Sequence, residues 1–249
     1  MIAALPMYDM VALQGANDAF WAAVREALRA RGIAAPDTLN RDIGMWEGWQ
    51  SPDLVLGQTC GMPYRIRLHG TVTLIAAADY GLDDTPPGYY HSVFVARADA
   101  PGDGPEAFAA DRFAYNQPES HSGWAAPQTW AAARGFRFDP AVETGGHRLS
   151  ALAVVEGRAD IAALDAVSWR FLTRYDPALT DRLRVVGRTQ TAPGLPFIAA
   201  PGADAAATLA ALSEGLAGLD RSTRETLSIR GFVAIPAADY LAVPTPPGP

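Results

Sequence analysis

Apolar residues along the chain fall into short continuous runs and into longer stretches with helical spacing. Phe20, Val24, Ala27 and Leu28 recur with the spacing of one helix face, which predicts a helix over residues 16–31 closed by Gly32. Short apolar runs, typical of buried strands, lie at residues 2–5, 54–57, 71–76 and 92–96.

Residues 112–164 read as strand, helix, strand, helix, strand. The predicted pieces cover residues 113–115, 124–134, 141–143, 148–156 and 161–164. Gly135 and Gly157 follow the two helices, where a C-terminal cap favours glycine. This alternation is typical of a parallel sheet with helices on its faces. Further elements are predicted downstream: strands at 183–186 and 197–199, helices at 203–217 and 222–229, and a frayed tail at 244–249.

Polar clusters follow several of these strands. The clusters are Gln58-Thr59-Cys60, Ser120-His121-Ser122, Gly145-Gly146-His147, and Asp165. In open α/β sheets, ligands bind beyond the carboxyl ends of the strands. We therefore expect these clusters to converge on one binding crevice.

The segment 120–123 has the composition of an anion-binding helix start. It precedes an Ala-rich helix prediction, and the first turn of a helix has unpaired N–H groups and partial positive charge. Small residues let an oxyanion reach the backbone, and the hydroxyls of Ser120 and Ser122 add donors. The simpler alternative is that serine only caps the helix. Pro127 predicts a kink just inside it.

Charge and cysteine usage narrow the function classes. All 20 basic residues are arginine and the formal net charge is −7, without a basic cluster, which disfavours nucleic-acid binding. The single Cys60 excludes an internal disulfide and has no identifiable catalytic partner. No metal ligands, cofactor site or catalytic residues are predicted.

No apolar stretch has the length of a membrane-spanning helix. The first residues lack the basic region, apolar core and cleavage site of a signal peptide. A cytoplasmic location and the removal of a leader peptide are both consistent with this.

Three segments resemble the phosphonate- and phosphate-binding subunits of ABC importers, which are type II periplasmic binding proteins. Residues 118–123 resemble the Ser-x-Ser-Gly anion loop of that family. Residues 145–147 and 151–163 resemble its His-bearing helix and following strand, and residues 88–93 resemble the segment that brings a tyrosine into the cleft.

The resemblance implies an α/β fold shaped as a two-lobed clamp, each lobe a mixed sheet flanked by helices. One lobe would contain residues 1–95 and 189–249, and the other residues 96–188. The two crossings, near Ala96 and Arg188, would act as a hinge that closes on the solute.

The resemblance also implies roles for individual residues. Ser120, Ser122 and the N–H groups of His121 to Gly123 would bind the oxyanion, and His147 would donate a further hydrogen bond. Tyr90, or Tyr89 if the register differs by one, would reach in from the other lobe. The remaining residues expected to line the crevice are Thr59, Asp165 and Trp46, the last together with Trp49 and Tyr64.

The sequence departs from the family pattern at two acidic positions, one of which lies near the turn at residues 193–196. Val167 stands where aminoalkyl-phosphonate binders have an acidic residue for the ligand's amine, and Asp165 is nearby but not matched. A zwitterionic aminophosphonate is therefore disfavoured, which leaves phosphate, phosphite, methylphosphonate or an unrelated small solute.

The function implied is a monomeric, periplasmic solute-binding protein that captures a small oxyanion in the interlobe cleft and delivers it to an ABC permease. Two alternatives remain open. One is an enzyme on the same scaffold, either of small-molecule (cofactor-precursor) metabolism or a hydrolase using Ser122 with His121 or His147. The other is a cytosolic solute sensor.

Overall fold

Strands and helices alternate through most of the chain in the computed structural model, which describes residues 1–249 and every side chain except those of residues 140 and 141. The strands are β1 Ile2–Ala4, β2 Leu54–Gln58, β3 Thr73–Asp79, β4 Tyr89–Tyr90, β5 Ser92–Arg97, β6 Phe113–Tyr115, β7 Pro140–Glu143, β8 Ile161–Asp165, β9 Leu183–Arg188, β10 Ala192–Pro193, β11 Pro196–Ala199 and β12 Gly231–Val233. The α-helices are α1 Gln14–Ala30, α2 Met45–Trp49, α3 Gly61–Pro63, α4 Ala126–Ala132, α5 His147–Val155, α6 Ala166–Tyr175, α7 Pro177–Thr180, α8 Ala205–Gly218, α9 Arg221–Leu227 and α10 Ala237–Leu241. Two π-helical turns, at Tyr64–Leu68 and His121–Ala125, continue α3 and precede α4, and short 3-10 turns lie at Pro6–Tyr8, Val11–Leu13 and Pro105–Phe108.

The chain divides into two compact units. The first contains Met1–Tyr89 and Pro193–Leu241, and the second contains Tyr90–Ala192 and Ala242–Pro249. The strands β4 and β10 pair with each other in a small two-stranded sheet.

The first unit is built on a mixed five-stranded sheet in the order β1-β2-β11-β3-β12. β1 and β2 run parallel, whereas β11 is antiparallel to both of its neighbours. The predicted apolar face of α1 is buried, and it packs against α8. Gly215 permits this approach, because a Cβ atom there would lie 2.6 Å from Cγ2 of Val24.

The second unit is built on a five-stranded sheet in the order β7-β6-β8-β5-β9. The predicted parallel arrangement is present for β6, β7 and β8. β5 runs antiparallel to both β8 and β9, so the complete sheet is mixed. The core beneath this sheet is aromatic: Phe94, Phe113 and Phe138 are fully buried and pack with Trp124 and Trp130.

The helix predicted over residues 124–134 begins earlier and is not uniform. It starts as the π-helical turn His121–Ala125, in which the Ala125 amide donates to the Ser120 carbonyl at 3.0 Å, and continues as α4. Pro127 explains the change of helix type, since proline has no N–H and its ring clashes with the carbonyl four residues earlier in an α-helix. The expected kink therefore takes the form of a wider first turn.

The boundaries of the units differ from those predicted. The chain leaves the first unit after Tyr89 and returns at Pro193, whereas the predicted crossings lay near Ala96 and Arg188. The reason is strand pairing: β5 is hydrogen-bonded along its length to β8 and β9, which keeps all of it, and all of β9, in the second unit.

The C-terminal tail also departs from the expectation that it frays. Pro247 accepts a hydrogen bond from the indole of Trp124 at 3.0 Å, and Gly248 accepts one from Arg137 at 2.8 Å. These bonds hold the tail on the second unit.

Candidate functional site

The segment Asn116–Gly123 connects strand β6 to the first turn of the π/α4 helix. Ser120 is the N-cap, and its Oγ accepts a hydrogen bond from the Gly123 amide at 3.0 Å. The capping alternative is therefore realised, and the Gly123 amide, expected to face the ligand, is occupied. Because Oγ acts as an acceptor in this bond, the Ser120 hydroxyl proton is still available for donation.

A second helix begins beside this turn. Gly145 and Gly146 lead into α5, whose first residue is His147. Nε2 of His147 lies 2.9 Å from Oγ of Ser122, and Oγ of Ser122 lies 3.5 Å from Oγ of Ser120. Three side chains from two helix starts thus form one connected polar group.

His147 is electrically neutral at ordinary pH. Its Nδ1 atom is enclosed and has no hydrogen-bond partner among the described residues, although the residue as a whole is only partly buried. Burial lowers the pKa of His147 from 6.5 to about 4. A buried N–H without a partner is rarer than an under-used acceptor, so the Nε2–H tautomer fits better, with Nε2 donating to Ser122. The hydroxyl proton of Ser122 then points elsewhere, where it can be donated to Ser120 Oγ or to a ligand.

Neighbouring polar groups hold this arrangement in place. Ser92, on β5, donates from its hydroxyl to the Ser122 carbonyl at 2.9 Å. Before α5, Thr144 Oγ1 lies 2.7 Å from Ser150 Oγ and donates to the Tyr115 carbonyl at 3.0 Å. These bonds fix the two helix starts relative to the sheet.

Asn116 explains why residue 123 is a glycine. A Cβ atom at Gly123 would overlap Oδ1 of Asn116 and would lie 2.9 Å from its Cγ. Oδ1 of Asn116 is enclosed and, like Nδ1 of His147, has no hydrogen-bond partner among the described residues. Two uncompensated buried polar atoms therefore lie at this one place, which is unusual in a folded protein.

The structure places Tyr90 differently from the expectation. Tyr90 was expected to reach in from the other lobe, but it belongs to the second unit, since it leads directly into β5. Its ring is 2% exposed and lies 5.9 Å from the buried ring of His121, centroid to centroid. Tyr90 and His121 therefore pack together within the unit that carries Ser120.

Asp165 serves as a helix cap. It is 2% exposed, and its Oδ1 accepts hydrogen bonds from the amides of Val167 and Ser168 at 2.7 and 3.0 Å at the start of α6. Of the two roles considered from the sequence, a cap or a carboxylate facing the ligand, the observed bonds are those of a cap.

The other three predicted residues belong to the first unit. The Tyr89 hydroxyl donates to Asp239 at 2.8 Å, and this bond raises the pKa of Tyr89. The Trp46 ring contacts that of Trp49, and the Arg67 guanidinium lies 4.6 Å from its centroid. Thr59 is fully buried, with its amide donating to the Pro196 carbonyl at 3.0 Å.

Three contributors to the site were not predicted: Asn116, Ser92 and Thr144. Asn116 is close in sequence to the serine loop, and this proximity was a usable signal. Ser92 acts on a main-chain carbonyl from a distant strand, which leaves no pattern in the sequence.

The described residues contain neither a cluster of metal ligands nor a membrane-spanning helix. No group of three or more His, Cys, Asp or Glu side chains is arranged to hold a metal ion. Within the same residues, none of the helices has the length and apolarity needed to cross a membrane.

Comparison with solved structures shows what the fold is similar to. PhnD1 from Prochlorococcus marinus (MIT 9301), in complex with methylphosphonate, superposes with a TM-score of 0.72 at 17% identity, covering 96% of this chain and 94% of that one. A binding protein component of an ABC phosphonate transporter from Pseudomonas aeruginosa gives 0.67 at 18% identity, with 96% and 82% coverage. A histidine kinase sensor domain with similarity to periplasmic binding proteins gives 0.58 at 18% identity, with 99% and 98% coverage.

These likenesses show the expected α/β fold of two-lobed type II periplasmic binding proteins. No curated protein matches the chain in sequence. A family model does: residues 53–240 match the one described as ABC transporter, phosphonate, periplasmic substrate-binding protein. The chain therefore belongs to the family of periplasmic substrate-binding proteins of phosphonate ABC transporters.

Proposed function

We propose that this chain captures a small tetrahedral oxyanion, of the phosphonate, phosphite or phosphate type, at the two helix starts of the second unit. The observation that carries this proposal is the 2.9 Å contact between Ser122 Oγ and His147 Nε2. It brings together the first turns of two helices, each with amides that lack intrahelical partners.

The donors available suit an oxyanion. They are the hydroxyl proton that the contact between Ser120 and Ser122 leaves free, the first-turn amide of Ser122, and the first-turn amides of α5. Hydrogen bonds to a charged group contribute about 1.5–3 kcal/mol each. Three or four of them are consistent with micromolar affinity, which corresponds to about −8 kcal/mol.

The other predicted residues keep narrower roles in this proposal. Tyr90 and His121 form an aromatic wall next to the serine loop, and Asp165 fixes the start of α6. The ligand contacts expected of Thr59, Tyr89 and Trp46 remain sequence-based predictions. Delivery of the solute to an ABC permease, a periplasmic location and a monomeric state are inferred from the family.

Isothermal titration calorimetry with methylphosphonate, phosphite and phosphate tests the proposal. We expect at least one of them to bind, and we expect Ser122→Ala to weaken that binding by about 10- to 100-fold, the equivalent of one lost charge-assisted bond. The matched control is Ser213→Ala, which removes an exposed hydroxyl from α8 in the first unit. Absence of binding to all three anions, or unchanged affinity in Ser122→Ala, would overturn the proposal.

The same 2.9 Å contact also favours a second candidate, a serine hydrolase, because it has the length of a nucleophile–base bond. Two features weaken that reading. Nδ1 of His147 has no orienting partner among the described residues, and a pKa of about 4 makes the ring a weak base at neutral pH. Turnover of p-nitrophenyl esters that disappears in both Ser122→Ala and His147→Ala would establish the hydrolase.

A further inference from the structure

The charged side chains on the segments that form the site are mostly negative. Glu119 is exposed on the segment before the π/α4 helix, Glu143 is exposed at the end of β7, and Asp165 is buried at the start of α6. Arg148, the second residue of α5, is cationic, but it is held in an ion pair with Asp176 at 2.8 Å. Arg148 is therefore not free to balance a bound anion at the start of α5.

The imidazole of His147 does not change this balance. His147 is uncharged, because its ring nitrogen is enclosed and burial keeps its pKa near 4. The ring of His121 is buried against the aromatic ring of Tyr90. The positive potential at the site therefore comes mainly from the two helix starts.

The size of that potential limits the negative charge that a bound ligand can carry. A helix N-terminus is equivalent to about half of a positive elementary charge. The π/α4 helix and α5 are both long enough to have a helix dipole of this size, so their two N-termini together balance about one negative charge. A second negative charge on the ligand would be desolvated without a compensating positive charge from the two helix starts.

Given the proposed function, we propose that the site selects tetrahedral oxyanions with a single negative charge, namely sulfonates or singly protonated phosphonates, over dianions of the same size. The geometry behind this is the meeting of two helix starts through Ser122 and His147, with Arg148 at the start of α5 paired to Asp176.

The enclosed acceptors add an independent indication that a ligand completes the site. Asn116 Oδ1 and His147 Nδ1 lack partners among the described residues, and in the Nε2–H tautomer both atoms are acceptors. A singly protonated phosphonate carries an O–H donor, which a sulfonate and a phosphonate dianion both lack. This predicts that a protonated phosphonate binds more tightly than a sulfonate.

Fixed-charge probes test the inference without changing pH. Methanesulfonate carries one charge and sulfate two at neutral pH, and the two are similar in size and shape. Calorimetric titration at constant ionic strength should show methanesulfonate binding at least about tenfold more tightly than sulfate. Equal affinity, or tighter binding of sulfate, overturns the inference.

Variants localise the effect. Glu143→Gln should improve sulfate binding more than methanesulfonate binding, because it removes a negative charge from the end of β7, four residues before the first residue of α5. Glu156→Gln at the far end of α5 is the matched control and should leave the ratio unchanged. An unchanged ratio in Glu143→Gln counts against the charge argument.

The failure of this inference is distinguishable from the failure of the proposed function. If methylphosphonate binds, and sulfate binds as tightly as methanesulfonate, the charge selectivity is wrong and the proposed function stands. If neither methylphosphonate, phosphite, phosphate, methanesulfonate nor sulfate binds, both proposals are refuted.

Discussion

Acidification should destabilise this protein through one buried imidazole. In the folded chain, burial lowers the pKa of His147 from 6.5 to about 4. In the unfolded chain the same ring is solvated and takes up a proton near its ordinary pKa. Between these two values the unfolded state binds more protons than the folded state, so the free energy of unfolding must fall as the pH falls.

The magnitude follows from the two pKa values. A pKa difference of about 2.5 units, each unit equivalent to 1.36 kcal/mol, gives a total loss of about 3 kcal/mol. The loss begins as the pH drops through 6.5, amounts to about 2.5 kcal/mol at pH 4.5, and levels off below pH 4. At pH 7.5 the ring is neutral in both states and contributes nothing to this difference.

Urea unfolding followed by tryptophan fluorescence measures the effect. The free energy of unfolding is compared at pH 7.5 and pH 4.5 for the wild type and for His147→Gln, in which an amide can still donate to Ser122. Carboxyl groups titrate in both proteins, so their contribution cancels in the comparison. The wild type should lose about 2.5 kcal/mol more than the variant.

The exposed His69 of the first unit provides the control, since His69→Gln should keep the full pH dependence of the wild type. An identical pH dependence in the wild type and His147→Gln would refute the reasoning. It would mean that the ring is solvated in the folded protein and that the polar group described here is open to water.

Three further substitutions test the packing and capping described above by urea unfolding. Gly123→Ala should lower the free energy of unfolding by about 1–3 kcal/mol, because the added methyl group would overlap Asn116. Gly218→Ala is the control, since an added methyl group there would have no atom within 4 Å. Equal effects of the two substitutions would contradict this reasoning. Asp165→Ala should cost about 1 kcal/mol through the loss of two capping bonds, and Asp165→Asn much less. Tyr240→Phe should cost about 1–3 kcal/mol because a buried carbonyl loses its donor, and an unchanged stability would show that water replaces it.

Much of the fold was predictable because the hydrophobic periodicity and the glycine and proline residues at the ends of elements gave the same boundaries. The strand Phe113–Tyr115 was predicted to the residue, and α5 was predicted within one residue at each end. Short elements that depend on partners were missed. β12, Gly231–Val233, is a strand only because its backbone pairs with β3, and three residues are too few to show an alternating pattern.

The boundaries between the units were predicted less well for a related reason. Nothing in the residues 90–97 indicates which sheet they join, since buried strands of both units are similarly apolar. The assignment depends on the pairing of β5 with β8 and β9, which is a long-range property. For this reason Tyr90 lies in the second unit, whereas the prediction placed it in the first.

The site shows the same division between local and long-range information. The serine loop and the His-bearing helix were predicted from local composition and family resemblance. The contact between Ser122 and His147 lies within 2.9 Å although the residues are 25 positions apart, and it required the parallel arrangement of β6 and β7 that precedes the two helices. Ser92 acts by donating to the Ser122 carbonyl, and Asn116 acts by its steric contact with Gly123. Sequence patterns encode neither of these interactions.

The capping role and the binding role of the serine loop are not alternatives. The peptide group between Ser122 and Gly123 is held at both ends, because its carbonyl accepts from Ser92 and its N–H donates to Ser120. This fixes the backbone from which the Ser122 hydroxyl projects. A hydroxyl on a fixed backbone loses less conformational entropy when it binds a ligand than one on a mobile loop. The cap therefore makes the Gly123 amide unavailable to an anion, but it holds the remaining donors of the loop in fixed positions.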